Sequence, residues 1–136
     1  MIDFCYYNPN PKGLHTNDCV VRALTFFLGM SWRGAFLDIV NWCADNGVVD
    51  FNRRTQYNKY LEEKGFKRQK PPRRNLTVGE FWEYFAEYGK TYIVSMPKHL
   101  TVISNRHIYD IGDCSKKKMD GFWVRDGGDE KYQILT

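Results

Sequence analysis

"NDCVVRALTFFLG", Asn17 to Gly29, is the stretch from which the rest of the chain can be organised. Asn17 or Asp18 can cap a helix, and Gly29 can end it. Between them Val20, Val21, Ala23, Leu24, Phe26, Phe27 and Leu28 run almost all the way round the predicted helix. A helix that is apolar on nearly every side belongs in the interior. Cys19 falls in its first turn, where the orphan backbone N–H groups and the helix dipole favour negative charge. That position favours a thiolate, the nucleophilic form of cysteine, and the same amides can receive an oxyanion. Taken alone, Cys19 also reads as a buried structural thiol.

Working outward, three more helices are predicted. "SWRGAFLDIVNWCADNG" has Ser31 as cap and Gly47 as stop, with Cys43 on its apolar stripe. "FNRRTQYNKYLEEKG" ends at Gly65, and "LTVGEFWEYFAEYG" carries Thr77 and Glu80 at capping-box spacing. Residues 1–16 read as extended or looped, with a turn-rich Asn8–Gly13. After residue 90 the period changes. Thr91–Met96, His99–Ser104 and His107–Ile111 read as strands, Asn105-Arg106 as a hairpin turn, and "DGFWVR" and "KYQILT" as further strands. Helices followed by an antiparallel sheet make an α+β layout, and 136 residues suit one domain spanning 1–136.

A thiol nucleophile needs a base within hydrogen-bond reach and a group that orients the base. Of the three histidines, His15 lies in a loop and His107 beside the hairpin turn. His99 opens a strand that continues as apolar "LTVI", so its ring can reach a cleft while the strand stays in the core. A two-residue turn at Asn105-Arg106 pairs Ser104 with His107, Ile103 with Ile108 and Thr101 with Asp110. His99 and Asp110 are then diagonal neighbours on one face. Asp110 is the preferred orienting carboxylate. Asp113 is the alternative, if Gly112 allows a kink that turns it inward.

A Cys opening a central helix, a His opening a strand and an acid on the next strand resemble the papain-like cysteine peptidase superfamily. The resemblance rests on "NDCVVRAL", "HLTVI" and "IYDIGDC" and on the element order from about residue 13 to 125. It is nearest to small single-domain members from bacteria and phages, of the bacteriocin-processing-peptidase-like kind. It implies a papain-like fold, with the Cys-bearing helix packed on a C-terminal antiparallel sheet. It also implies a thiol peptidase, isopeptidase or acyltransferase with Cys19 as nucleophile, His99 as base and Asp110 or Asp113 as third member. Many relatives carry an oxyanion-hole Gln about six residues before the nucleophile; Gly13 stands there in this chain. Asn17, with the Cys19 N–H, is the replacement donor. Without such a donor the chain would be a non-catalytic interaction protein on the same fold.

Composition and spacing weigh against several other classes, nucleic-acid binding among them. Net charge is +4 with pI about 8.9, short of the strong, clustered basicity of nucleic-acid binders. Nor do Tyr and Trp interleave with the basic run as in single-strand binders. No basic start with an apolar run marks a signal peptide, and no apolar stretch approaches bilayer length. Cys5, Cys19, Cys43 and Cys114 are widely spaced, as in a reduced cytoplasmic protein rather than a disulfide framework. No close-spaced ligand pair supports a zinc site built from Cys19, Cys114, His99 and an Asp, and no phosphate-binding loop is present. The expectation is therefore no cofactor and no metal. The basic loop Lys64–Arg74 reads as a solvated linker or as a contact for an acidic partner, and "SKKK" at Ser115–Lys118 similarly but more weakly. Trp123, in "DGFWV", either packs near the catalytic hairpin or serves as an ordinary core aromatic.

Overall fold

The structure, a computed structural model, describes residues 2–128. Among these, the order is β1 (Phe4–Tyr6), α1 (Cys19–Leu28), α2 (Trp32–Asn46), α3 (Arg54–Glu63), α4 (Val78–Tyr84), β2 (Lys90–Met96), β3 (His99–Ser104), β4 (His107–Asp110) and β5 (Gly121–Asp126). The five strands form one sheet in the order β1-β4-β3-β2-β5. The α+β class is as expected. The antiparallel sheet is corrected to a mixed one, because β1 joins the edge parallel to β4, Phe4 opposite Ile108. Three residues of an otherwise irregular N-terminus carry no alternation long enough to announce that strand. The strand expected at "KYQILT" lies outside the described residues.

The sheet separates two apolar layers. On one face α1 is central, with Val20, Leu24, Phe26 and Phe27 packed among Ile93, Leu100, Val102 and Trp123. On the other, α4 sets Val78, Phe81 and Trp82 against Tyr92, Val94, Ile103 and Ile108. β2 and β3 are therefore buried on both faces and read as apolar runs rather than as clean alternation.

The helix ends follow local chemistry. Gly29 and Gly47 take left-handed conformations that close α1 and α2. The Ser31 hydroxyl accepts from Gly34 N–H, and Thr77 and Glu80 complete the capping box of α4. α4 stops at Tyr84, short of Gly89, as Phe85 and Ala86 turn back onto the second core. α3 starts only at Arg54, since Asp50 turns the preceding chain by accepting from Asn52 N–H at 3.0 Å. The Asn105-Arg106 turn has positive φ at both residues, 47° and 61°, the requirement for a two-residue type I′ hairpin. It delivers the expected register: Ser104 opposite His107, Ile103 opposite Ile108 and Val102 opposite Tyr109. Arg125 is buried and donates to the Phe27 carbonyl at 2.6 Å, tying the C-terminal end of α1 to β5.

Candidate active site

Cys19 is the first residue of α1, and Asp18 occupies the cap position. The Asp18 carboxylate does not cap, a correction to the expected role. Its two oxygens are taken by Arg22, at 2.5 Å, and by the Trp32 indole N–H, at 2.9 Å. The first amides of α1 are thereby left without a side-chain acceptor.

His99 opens β3 as anticipated. It follows the Pro97-Lys98 turn, in which Lys98 sits at φ 61°, a costly left-handed position for a lysine. His99 Nε2 lies 2.7 Å from Asp110 Oδ2. Asp110 is almost wholly enclosed, at 1% exposure. Its other oxygen accepts from Arg22 at 3.2 Å and from the Ile111 amide at 2.7 Å. That last bond also ends β4 at Asp110 rather than Ile111, because the ladder loses the Ile111 N–H. With Nε2 held by Asp110, Nδ1 is left for a thiol, and Cys19 lines the same cleft as the ring.

The electrostatics follow from this arrangement. Burial opposes a charged ring on His99. Its hydrogen bond to Asp110, the neighbouring Cys114 and Cys19 sulfurs and the Asp110 charge outweigh it and push His99 up to about 11. Burial would likewise raise Asp110, but the His99 contact and the bonds from Thr101 and Ile111 hold its carboxyl below the usual range. The pair is thus an imidazolium against a carboxylate, at the end of a hydrogen-bonded chain that runs from half-buried Trp32 through buried Asp18, Arg22 and Asp110 to His99.

Cys19 and His99 line one cleft of about 440 Å³, with Asn17, Tyr57, Met96 and Lys98 on its walls. Asn17 is exposed at its mouth. Asp113 is not in the site: it is exposed, and its carboxylate accepts from Ser115 N–H at 2.9 Å. Gly112 does not turn it inward, because Asp110 already fills the position beside the ring. His15 hydrogen-bonds Tyr6, and Cys43 is a core thiol raised mainly by burial. Trp123 is fully buried against Tyr57, which supports the cleft wall from behind.

Two residues were missed. Arg22 is the lone charge on α1, and a charge in so apolar a helix must have buried partners; that was the available signal. Cys114 follows β4 and lies 3.8 Å from Asp110 Oδ2. The sequence offered it only within the zinc set that was set aside. His99, Asp110 and Cys114 bring their donor atoms within 4.8 Å of one another, members of the set that the sequence argument named and set aside for want of close-spaced ligand pairs. Each of these groups is already hydrogen-bonded to another member of the site.

The basic loop is partly consumed by the fold. Lys64 pairs with Asp38 at 2.9 Å, Arg68 with Asp120 at 3.4 Å, and Arg73 lies over Tyr84 and Phe85. Lys67, Lys70 and Arg74 remain exposed. Among the described residues no single helix is long and apolar enough to cross a membrane.

No protein-family model matches the chain, no curated protein does, and no solved structure does. The functional reading rests on the site's own geometry.

Proposed function

We propose that the chain is a thiol hydrolase acting on a peptide or isopeptide bond, with papain-like chemistry. The observation that carries this reading is His99, bonded through Nε2 to buried Asp110 and lining one cleft with the helix-opening Cys19. A structural histidine needs neither a thiol at a helix start nor an accessible cleft.

With the Cys19 proton already on the His99 imidazolium, Cys19 reacts as the thiolate of that ion pair, and its sulfur attacks the substrate carbonyl carbon. A C–S bond forms as the carbonyl π pair moves onto oxygen. The Cys19 N–H, uncapped at the start of α1, and the Asn17 amide donate to that oxyanion. Collapse of the intermediate breaks the C–N bond, and the His99 proton goes to the departing amine. Water then attacks the thioester with the now neutral His99 as base, releasing the acid and restoring the thiolate–imidazolium pair. An amine in place of that water would make the same site an acyltransferase. Asp110 stays ionised throughout and holds the ring in register, and Arg22 holds Asp110.

Two measurements test this reading. Limiting iodoacetamide at neutral pH, read by peptide mass spectrometry, should modify Cys19 ahead of the more exposed Cys5, and His99→Ala should abolish that preference. Quenched fluorescent peptide mixtures should be cleaved by the wild type and not by Cys19→Ala. Modification of Cys5 first, together with cleavage that survives Cys19→Ala, would overturn the proposal.

A further inference from the structure

A second Cys-His-Asp group lies at the sheet edge, outside the cleft. β1 and β4 run parallel, Phe4 opposite Ile108 and Cys5 opposite Tyr109. Side chains alternate along a strand, so Asp3, Cys5 and His107 share the face opposite to that of Phe4 and Ile108, which pack into the second core. The Ile108 N–H donates to the Asp3 carbonyl at 2.8 Å and holds Asp3 beside His107. His107 Nδ1 is 2.8 Å from Asp3 Oδ2 and 3.9 Å from Cys5 Sγ. All three donor atoms lie within 4.8 Å of one another.

Both contacts go to the same ring nitrogen. A proton relay needs its acid and its thiol on opposite nitrogens. Here a carboxylate and a thiol converge on Nδ1, which carries at most one proton. Three donors gathered round one point suit a small cation better than a proton.

We propose that Asp3, Cys5 and His107 form a zinc-binding site. A thiolate, an imidazole and a carboxylate are zinc's own ligand types, whereas calcium and magnesium take oxygen. Zinc bonds of about 2.0 Å to N and O and about 2.3 Å to S, set tetrahedrally, need N···O near 3.3 Å and N···S near 3.5 Å. The present 2.8 and 3.9 Å straddle those values, each within about half an ångström. A small rotation of the half-exposed Asp3 carboxylate and the Cys5 thiol closes the gap. The partial exposure of all three residues provides an entry path. Binding would staple the short edge strand β1 to β4. The site is independent of the hydrolase reading.

Cobalt(II) titration of the full chain tests it, since cobalt substitutes for zinc and reports a thiolate ligand by charge-transfer absorption. The expected result is that absorption at one cobalt per chain, lost in Cys5→Ser and weakened at least about tenfold in His107→Gln. It should persist in Cys19→Ala and in Cys114→Ala, which remove the thiols of the buried cluster one at a time. Zinc should raise the melting temperature of the wild type and not that of Cys5→Ser. No absorption with the wild type, or absorption that survives Cys5→Ser, would overturn the proposal. If absorption disappears in Cys114→Ala while Cys5 is intact, the metal belongs to the buried cluster and the edge site is wrong.

Discussion

Two groups with the same three residue types sit at opposite ends of one hairpin, and the fold treats them differently. At one end, where β3 begins and β4 ends, His99 has Asp110 on Nε2, thiols as its further partners, and a carboxylate at 1% exposure. At the turn end, His107 has an acid and a thiol on a single nitrogen, and its acid is half-exposed. The residue inventory is identical, so the inventory cannot decide the chemistry. Which ring nitrogen meets which partner, and how much water reaches the pair, decides it. Burial makes the first pair strong and gives it consequences throughout the site. Exposure leaves the second pair loose enough to rearrange around an ion.

The sharpest way to break this contrast is to remove the buried orienter. Asp110→Asn should slow alkylation of Cys19 by about 10²-fold or more, the scale of a lost acid–base arrangement. An unchanged rate would mean that His99 does not act through Asp110.

Arg22→Met tests the burial half of the comparison. It strips two buried carboxylates of their cation and should cost about 3–5 kcal/mol in urea unfolding. Asp3→Asn removes one partner of the exposed pair and should cost less than about 1 kcal/mol. Equal losses would erase the distinction.

The pH dependence sharpens it further. The folded His99 is raised from 6.5 to about 11. Its stabilisation is therefore complete below about pH 6.5 and fades as pH climbs towards 11. Asp110 is lowered, so its share is present above about pH 3.8 and fades on acidification through its folded value. The stability gap between wild type and His99→Gln should therefore shrink steadily on the alkaline side of neutrality. A gap that widens with pH would contradict the imidazolium–carboxylate assignment.

The smallest effect is expected at Asp113. Asp113→Ala loses one turn hydrogen bond, about 1 kcal/mol or less, and should leave Cys19 alkylation as it was.

Much of this arrangement was legible in the residues. Ser31, Thr77 with Glu80, Gly29 and Gly47 marked helix ends because caps are local chemistry. The Asn105-Arg106 turn set the hairpin register because a two-residue turn leaves only one pairing, and that register brought His99 to Asp110. Asp18 stands at the cap position that the sequence offered to it or Asn17, but its carboxylate does not cap, because Arg22 and, once α2 has packed beside α1, Trp32 claim its oxygens. The basic loop looked solvated because Asp38 and Asp120, which take two of its charges, lie far away in sequence.

By itself, then, the sequence determined the order of elements, most of their ends and the hairpin that carries the base and its acid. Those features depend on periodicity and on partners a few residues apart. Tertiary structure alone decided that β1 docks parallel at the sheet edge beside His107. It also decided that Arg22 bridges α1 to β4, that Cys114 stands beside the imidazole, and that a cleft opens at Cys19. These depend on which surfaces meet when two apolar layers close on one sheet, and no local pattern of residues encodes that meeting.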